Sequence, residues 1–182
     1  MSMCVFTLHP FYGAIHNPPH IRITGQVSKT LQSLAIGYQL AGELTAIHLP
    51  ESSEHPERRD CLWKGTCFEL FVKKTDSEGY REINLSPAGY WNIYRFDKYR
   101  KGMQEETGVA APRIRVGIKN EGILKISTDI HLDAITALYQ PIQVAVSAVI
   151  QTVTGQLSYW ALTHPGPEPD FHHKDSFVIR LE

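Results

Sequence analysis

The chain is short of the features that would assign it quickly. No apolar run approaches the ~18 residues that a membrane-spanning helix requires, which excludes a helical span. No charge of one sign dominates: 18 Lys and Arg stand against 19 Asp and Glu, a formal net charge of −1, and the basic residues are dispersed along the chain. A broad basic footprint for nucleic acid is therefore excluded. Cysteine is scarce and unpaired, with Cys4, Cys61 and Cys67 forming an odd set that contains no CxxC. Three reduced thiols are the simplest reading, and nothing supports a Cys61–Cys67 bridge. The segment MSMCVFTLHPFYG has no basic stretch leading into an apolar one, so it does not read as a signal peptide. Together these features predict a cytoplasmic protein. Helical periodicity is scarce too, confined to Leu132–Tyr139, one or two turns stopped by Pro141. There is no internal repeat and no low-complexity linker.

What is present is a series of short alternating runs bounded by Gly, Pro, Asn and Asp, the pattern of an antiparallel β protein. The predicted strands are 3–8, 20–27, 31–40, 66–73, 80–86, 91–96, 113–119, 122–130, 142–151, 156–162 and 176–181. Lys119-Asn120-Glu121-Gly122 makes a hairpin turn between two of them, and Thr154-Gly155 separates the next pair. At 182 residues the chain suffices for one well-buried domain and is short for two. The expected fold is an all-β antiparallel sandwich of two sheets, jelly-roll or immunoglobulin-like, with at most short helical turns. Two loops are long for such a fold, Pro50–Asp60 and His164–Asp175. Loops of that length are often functional.

The alternation defines a polar face. In Cys67–Val72, Phe68, Leu70 and Val72 share one side and Cys67, Glu69 and Phe71 the other. In Arg81–Ser86, Ile83 and Leu85 oppose Glu82, Asn84 and Ser86. Antiparallel pairing that gathers Phe68, Leu70, Ile83 and Leu85 into a core puts Glu69, Glu82 and Asn84 together on the opposite face. Like charges at or near cross-strand positions call for compensation. Arg59, Arg95 or Arg115, a cation, or the hydroxyls of a sugar could supply it. A solvated outer face carrying two glutamates is the plain alternative, but Trp63, Trp91 and Tyr94 lie close by in sequence. Carboxylates and amides that bond vicinal hydroxyls, beside flat rings that cover a pyranose, are what saccharide recognition needs.

RRDCLWKGTCFELFV, YREINLSPAGYWNIYRF, YRKGM and LSYWALTHPGPEPDFHHKDSFV resemble a bacterial DOMON-like domain, related to carbohydrate-binding module family 9. The resemblance runs from about Pro18 to Leu181 and implies a single β-sandwich domain over 1–182 with a ligand site on a sheet face or at one end. Relatives that bind sugars sandwich a terminal ring between two tryptophans. That implies a platform of Trp63 and Trp160, with Trp91 as substitute, at least one of the three being a core residue. The expected ligand-binding set is Trp63, Glu69, Glu82, Asn84, Trp91, Tyr94, Arg95 and Trp160, and the expected partner is a saccharide or sugar-containing small molecule. Haem-binding relatives ligate iron with Met and His, which here would mean Met103 with His164 or His172.

His164, His172, His173 and Asp175 are dense enough for a metal site, with His164, His172 and Asp175 as the candidate ligands, but their spacing matches no standard zinc motif. A loop pinned to the sandwich by His172 and Asp175 is the favoured reading. Glu69 and Glu82 could serve as the acid and base of a glycosidase, although adjacent carboxylates of one sheet do not naturally flank a bond. No cofactor is expected, and a non-catalytic binding module is favoured over an enzyme.

Overall fold

The computed structural model describes residues 1–13, 18–119, 122–131 and 140–182. Leu132–Tyr139 and the centre of the Lys119–Gly122 turn lie outside them. Each predicted strand overlaps an observed one, and the two-residue strand Gln104–Glu105 is additional. β1 (Ser2–Pro10), β2 (Ile21–Lys29), β3 (Ser33–Gly42), β8 (Arg115–Lys119) and β9 (Ile123–His131) form one layer in the order β1-β2-β3-β9-β8. β4 (Cys67–Lys74), β5 (Tyr80–Leu85), β6 (Trp91–Phe96), the two-residue β7 (Gln104–Glu105), β10 (Ile142–Gln151) and β11 (Leu157–Ala161) form the other, in the order β7-β6-β5-β4-β10-β11. β12 (Ile179–Leu181) adds to the start of β10, and β1 joins the layers through His9 and Pro10, which pair with Ala161 and Trp160. All the strand pairings are antiparallel, as expected of a curled sheet closed into a sandwich. The described helical structure is confined to short 3₁₀ turns.

The core lies between the layers and follows from alternation. Ile23, Leu34, Ile36 and Leu40 of the first layer meet Phe68, Leu70, Ile83, Leu85 and Ile93 of the second. The register is Phe68 against Leu85 and Leu70 against Ile83, which is the pairing that buries all four.

One close approach inside the first layer carries a prediction. Gly25 lies between its partners Phe6 and Tyr38, whose rings meet edge to face at 5.4 Å. A Cβ at Gly25 would come 2.2 Å from the Gly37 carbonyl oxygen and 2.5 Å from the Phe6 ring. Gly25→Ala is expected to cost about 3 kcal/mol through this overlap. At Gly37 the nearest atom to a new Cβ is 3.6 Å away, so Gly37→Ala should stay within about 0.5 kcal/mol of wild type. Denaturant midpoints of the two variants check the contrast, and equal losses would refute it.

A second apolar cluster, with Phe71, Tyr80, Tyr94, Phe96 and Phe177 at its centre, sits on the face of β4–β6 turned away from the core. Trp63 and Phe171 pack against it. That outer face is therefore covered, and the candidate site is built on it.

Candidate functional site

Glu69, Glu82 and Asn84 project from this outer face, as the alternation predicts. Glu69 pairs with Asn84, and Glu82 lies between Phe71 and Tyr94, so the two acids are diagonal neighbours. They are not solvated: Glu69 is 3% and Glu82 4% exposed. Two loops cover them. Arg58, in the first, bonds the Asn92 Oδ1 at 2.8 Å and stacks over Trp91, and Asp60 accepts from the Tyr94 hydroxyl at 2.7 Å. Cys61 then takes a left-handed backbone, φ 60°, that turns the chain into a 3₁₀ turn carrying Trp63 to within 5.6 Å of the Tyr94 ring.

The second loop is held by Asp170, which accepts from the Tyr99 hydroxyl at 2.6 Å and from Arg100 at 2.8 Å. It places Phe171 6.2 Å from Tyr159 and sets His172 against Tyr80, whose hydroxyl shares a 2.7 Å hydrogen bond with Nδ1. The expected anchor, Asp175, instead makes local contacts with His173 and Lys174. Its place is taken by Asp170, whose carboxylate reaches across to the turn after β6.

Between the loops is a cavity of about 440 Å³, within the range of small-molecule sites. Glu69 and Glu82 contribute carboxyls to it, Trp63, Tyr159 and Phe171 contribute rings, and Arg100 a charge. A larger hollow of about 690 Å³ on the opposite layer is bordered chiefly by Thr, Gln and Gly, and no carboxylate lines it.

Burial pushes both acids up. Glu69 is raised well above the usual carboxylate range, by burial first and then by the charge of Glu82, and a 3.1 Å bond from the Ser147 hydroxyl opposes this. Glu82 is raised by burial to about 7, against the opposing effects of the Asn84 amide, which donates to it at 2.8 Å, and of Arg100. His172, whose Nε2 lies 3.8 Å from Glu82, is pushed down to about 4, by burial first and then by Arg100. The Asn84 carbonyl oxygen is buried without a donor. A protonated Glu69 across the pair is the kind of group that can supply one.

The expected arginine partner of the acids is not found among the described residues. Arg59 pairs with Glu57, Arg95 bonds Gln104 and Arg115 pairs with Asp129. Among the described residues His172 is the one basic side chain within 4 Å of either acid, so the upward shift of both carboxyls, and not a paired arginine, eases the repulsion. The structure brings Trp63, Glu69 and Glu82 to the cavity, with Asn84 and Tyr94 bonded or packed beside them.

Trp91, Trp160 and Arg95 are not brought there. Trp91 pairs with the core residue Leu85 and is 5% exposed. Trp160 pairs with Ala148, is 3% exposed, and gives its indole N–H to Ser158 at 3.0 Å. Arg95 stands at the exposed β6–β7 edge. Trp63 and Trp160 are therefore not brought together: strand parity turns Trp160 inward and its neighbour Tyr159 outward. Tyr159, Phe171, Arg100 and Lys64 are among the cavity residues that sequence reasoning passed over. His172 lies at the cavity, His164 donates from Nε2 to the His9 carbonyl oxygen at 2.9 Å, and Asp175 is exposed. Among the described residues no three His, Cys, Asp or Glu side chains gather closely enough to hold a metal ion.

Comparison with solved structures places the fold. A candidate carbohydrate-binding protein from Bacteroides uniformis superposes with a TM-score of 0.65 at 13% identity, over 93% of this chain and 83% of its own. A family 9 carbohydrate-binding module from Caldicellulosiruptor kristjanssonii, solved with glucose and with cellotriose, aligns at a TM-score of 0.48 and 9% identity over 80% of this chain. It is covered over 69% of its length in the glucose complex and 67% in the cellotriose complex. No family model and no curated protein matches the chain. The Bacteroides likeness shows a shared fold.

Proposed function

We propose that the protein binds a saccharide or sugar-containing ligand in the cavity above Glu69 and Glu82 and does not transform it. The observation that carries this reading is a pair of buried carboxyls beneath a cavity bordered by Trp63, Tyr159 and Phe171. Carboxyl oxygens in a partly desolvated pocket form strong hydrogen bonds with hydroxyls, and aromatic rings cover the C–H face of a pyranose. The fold shared with the Bacteroides uniformis protein agrees with the reading, as does the sequence resemblance to DOMON-like domains and family 9 modules. The three thiols are free, which suits a cytoplasmic ligand such as an intracellular saccharide or nucleotide sugar.

Binding without hydrolysis is favoured by the placement of both acids. They rise from adjacent strands of one floor, on one side of any ring lodged above them, whereas a glycosidase sets its carboxyls on either side of the bond. Haem fits the site poorly. Met103 and His172 do border the same cavity, but the two nitrogens of His172 are directed at Tyr80 and Glu82. Nδ1 is engaged with the Tyr80 hydroxyl, Nε2 faces the Glu82 carboxyl, and a floor of two acids is a poor seat for a porphyrin.

Titration of the protein with a panel of mono- and oligosaccharides, followed by tryptophan fluorescence and calorimetry, tests the proposal. Saturable binding is expected with Kd on the order of micromolar to millimolar, since one stacked ring and a few hydrogen bonds leave little after the cost of association. The ligand should be recovered intact. Failure of every sugar to saturate would refute the reading, cleavage would move the protein to the hydrolases, and a Soret band retained through purification would move it to the haem proteins.

A further inference from the structure

We propose that a second cleft, beside the first and independent of the saccharide reading, is a binding site for a multiply charged oxyanion, a phosphate or sulfate group carried on a small organic molecule. The cleft has a volume of about 740 Å³ and is bordered by Lys73, Lys98, Lys101 and Lys174, with Glu78 the carboxylate among its lining residues. Three separate parts of the chain deliver these lysines: β4, the turn after β6, and the segment that precedes β12. Surface lysines are ordinarily interspersed with acids. Here Lys174 alone of the four has a carboxylate within 4 Å among the described residues, at Asp175. Lys73 lies over the ring of Phe177 at 4.9 Å.

The turn between Lys98 and Lys101 is the second observation. The two are bridge partners, so their ammonium groups leave the same side of a tight turn. Like charges placed opposite one another are destabilising. The turn also holds Arg100 at φ 51°, in the left-handed region that a non-glycine residue enters at a conformational cost. Gly102 follows at φ 68°, where a Cβ would strike the Asp97 carboxylate. This disfavoured arrangement is fixed in place, because Asp170 binds both Tyr99 and Arg100 within the turn. The result is a fixed turn that presents Lys98 and Lys101 to the cleft that Lys73 and Lys174 also border, and lysine, as a compact strongly hydrated charge, suits a phosphate or sulfate oxygen. Tyr99 and Phe177 in the walls offer apolar area to the carrier of the anion.

The test is calorimetric titration of the full chain with sodium pyrophosphate at about 10 mM and about 150 mM salt, where screening lengths are roughly 30 and 8 Å. Saturable binding that weakens at the higher salt is expected. Lys98→Glu with Lys101→Glu should weaken it at least tenfold, and Lys98→Gln with Lys101→Gln at least threefold. The charge-matched pair Arg22→Glu with Lys125→Glu, on the opposite layer, should leave it unchanged. The glutamine pair should melt no lower than wild type, since it removes a like-charge bridge, so its loss of binding cannot be ascribed to unfolding. Titration with the 6-phosphate and the 6-sulfate of one hexose, with the plain hexose as blank, then tells which ester the cleft takes. Absence of saturation by pyrophosphate at low salt, or equal losses in the cleft and control pairs, would overturn the proposal. Neither result bears on the saccharide cavity.

Discussion

Replacing Trp63 by alanine is expected to weaken saccharide binding at least tenfold while the fold survives, and replacing Trp91 or Trp160 is expected to do the reverse. Trp63 is half-buried, touches the outer cluster at its edge and borders the cavity. Truncating it removes a stacking surface, and tenfold corresponds to about 1.4 kcal/mol of lost contact. Trp91 and Trp160 belong to the core between the layers. Removing either leaves a void that the surrounding strands cannot close, at a cost of about 3–5 kcal/mol. For Trp91 the Arg58 guanidinium, now stacked at 4.2 Å, would also lose its ring. Thermal melts run beside sugar titrations of the three variants separate these cases. Trp63→Ala binding as tightly as wild type would remove the aromatic wall from the argument.

Acid titration of stability should reveal two protonations that work against each other. Glu82, raised by burial to about 7, faces Glu69, the Asn84 amide, Arg100 and the His172 ring. The folded state keeps protons on these acids that the unfolded chain releases above about pH 4.5. The Glu82 contribution is therefore complete below that pH and is lost as pH rises through about 7, and the Glu69 contribution runs in the same direction. His172 is pushed down from 6.5 to about 4 by burial and Arg100, with Asp170 opposing. The unfolded chain takes up that proton first, so the histidine contribution is complete above 6.5 and is lost as pH falls through about 4.

Between about pH 4.5 and 6.5 two raised carboxyls act against one imidazole, so wild-type stability should rise on acidification with the slope of about one proton. Glu82→Gln leaves one raised carboxyl, Glu69, against His172, and should flatten the profile. His172→Gln exposes the glutamate trend, a gain on acidification on the order of 1–3 kcal/mol. Denaturant midpoints across this range provide the measurement, and a profile for Glu82→Gln as steep as that for His172→Gln would contradict the assignment.

How much of this is written locally follows from what each residue depends on. The strand runs and the burial of Phe68, Leu70, Ile83 and Leu85 depend on alternation within a few residues, and alternation is legible. So is the shared face of Glu69, Glu82 and Asn84. Trp91 was legible in principle as well: the turn from Ser86 to Tyr90 sets Trp91 opposite Leu85, and a partner of a core residue is a core residue. Trp160 against Tyr159 is harder, because parity says only that one of them faces the core. The choice is made by register with β10, which sequence alone leaves open. The cover over the acids was illegible. It depends on Asp170 finding Tyr99 and Arg100, about 70 positions away, and on Asp60 finding Tyr94. No local pattern announces either meeting, so the polar face looks solvated until the loops are in place.

The way β1 joins the layers constrains the order in which a growing chain can mature. The first strand finds β2 almost at once, but the pairing of His9 and Pro10 with β11 waits for about 150 further residues. β4 likewise waits for β10 on one of its edges. Until β10 and β11 leave the ribosome, the strands made before them form two partial sheets, each with an open edge. Contacts so distant in sequence are slow to form, and such edges are prone to self-association meanwhile. The interval between emergence of β6 and emergence of β11 is thus when this protein most needs chaperone shelter.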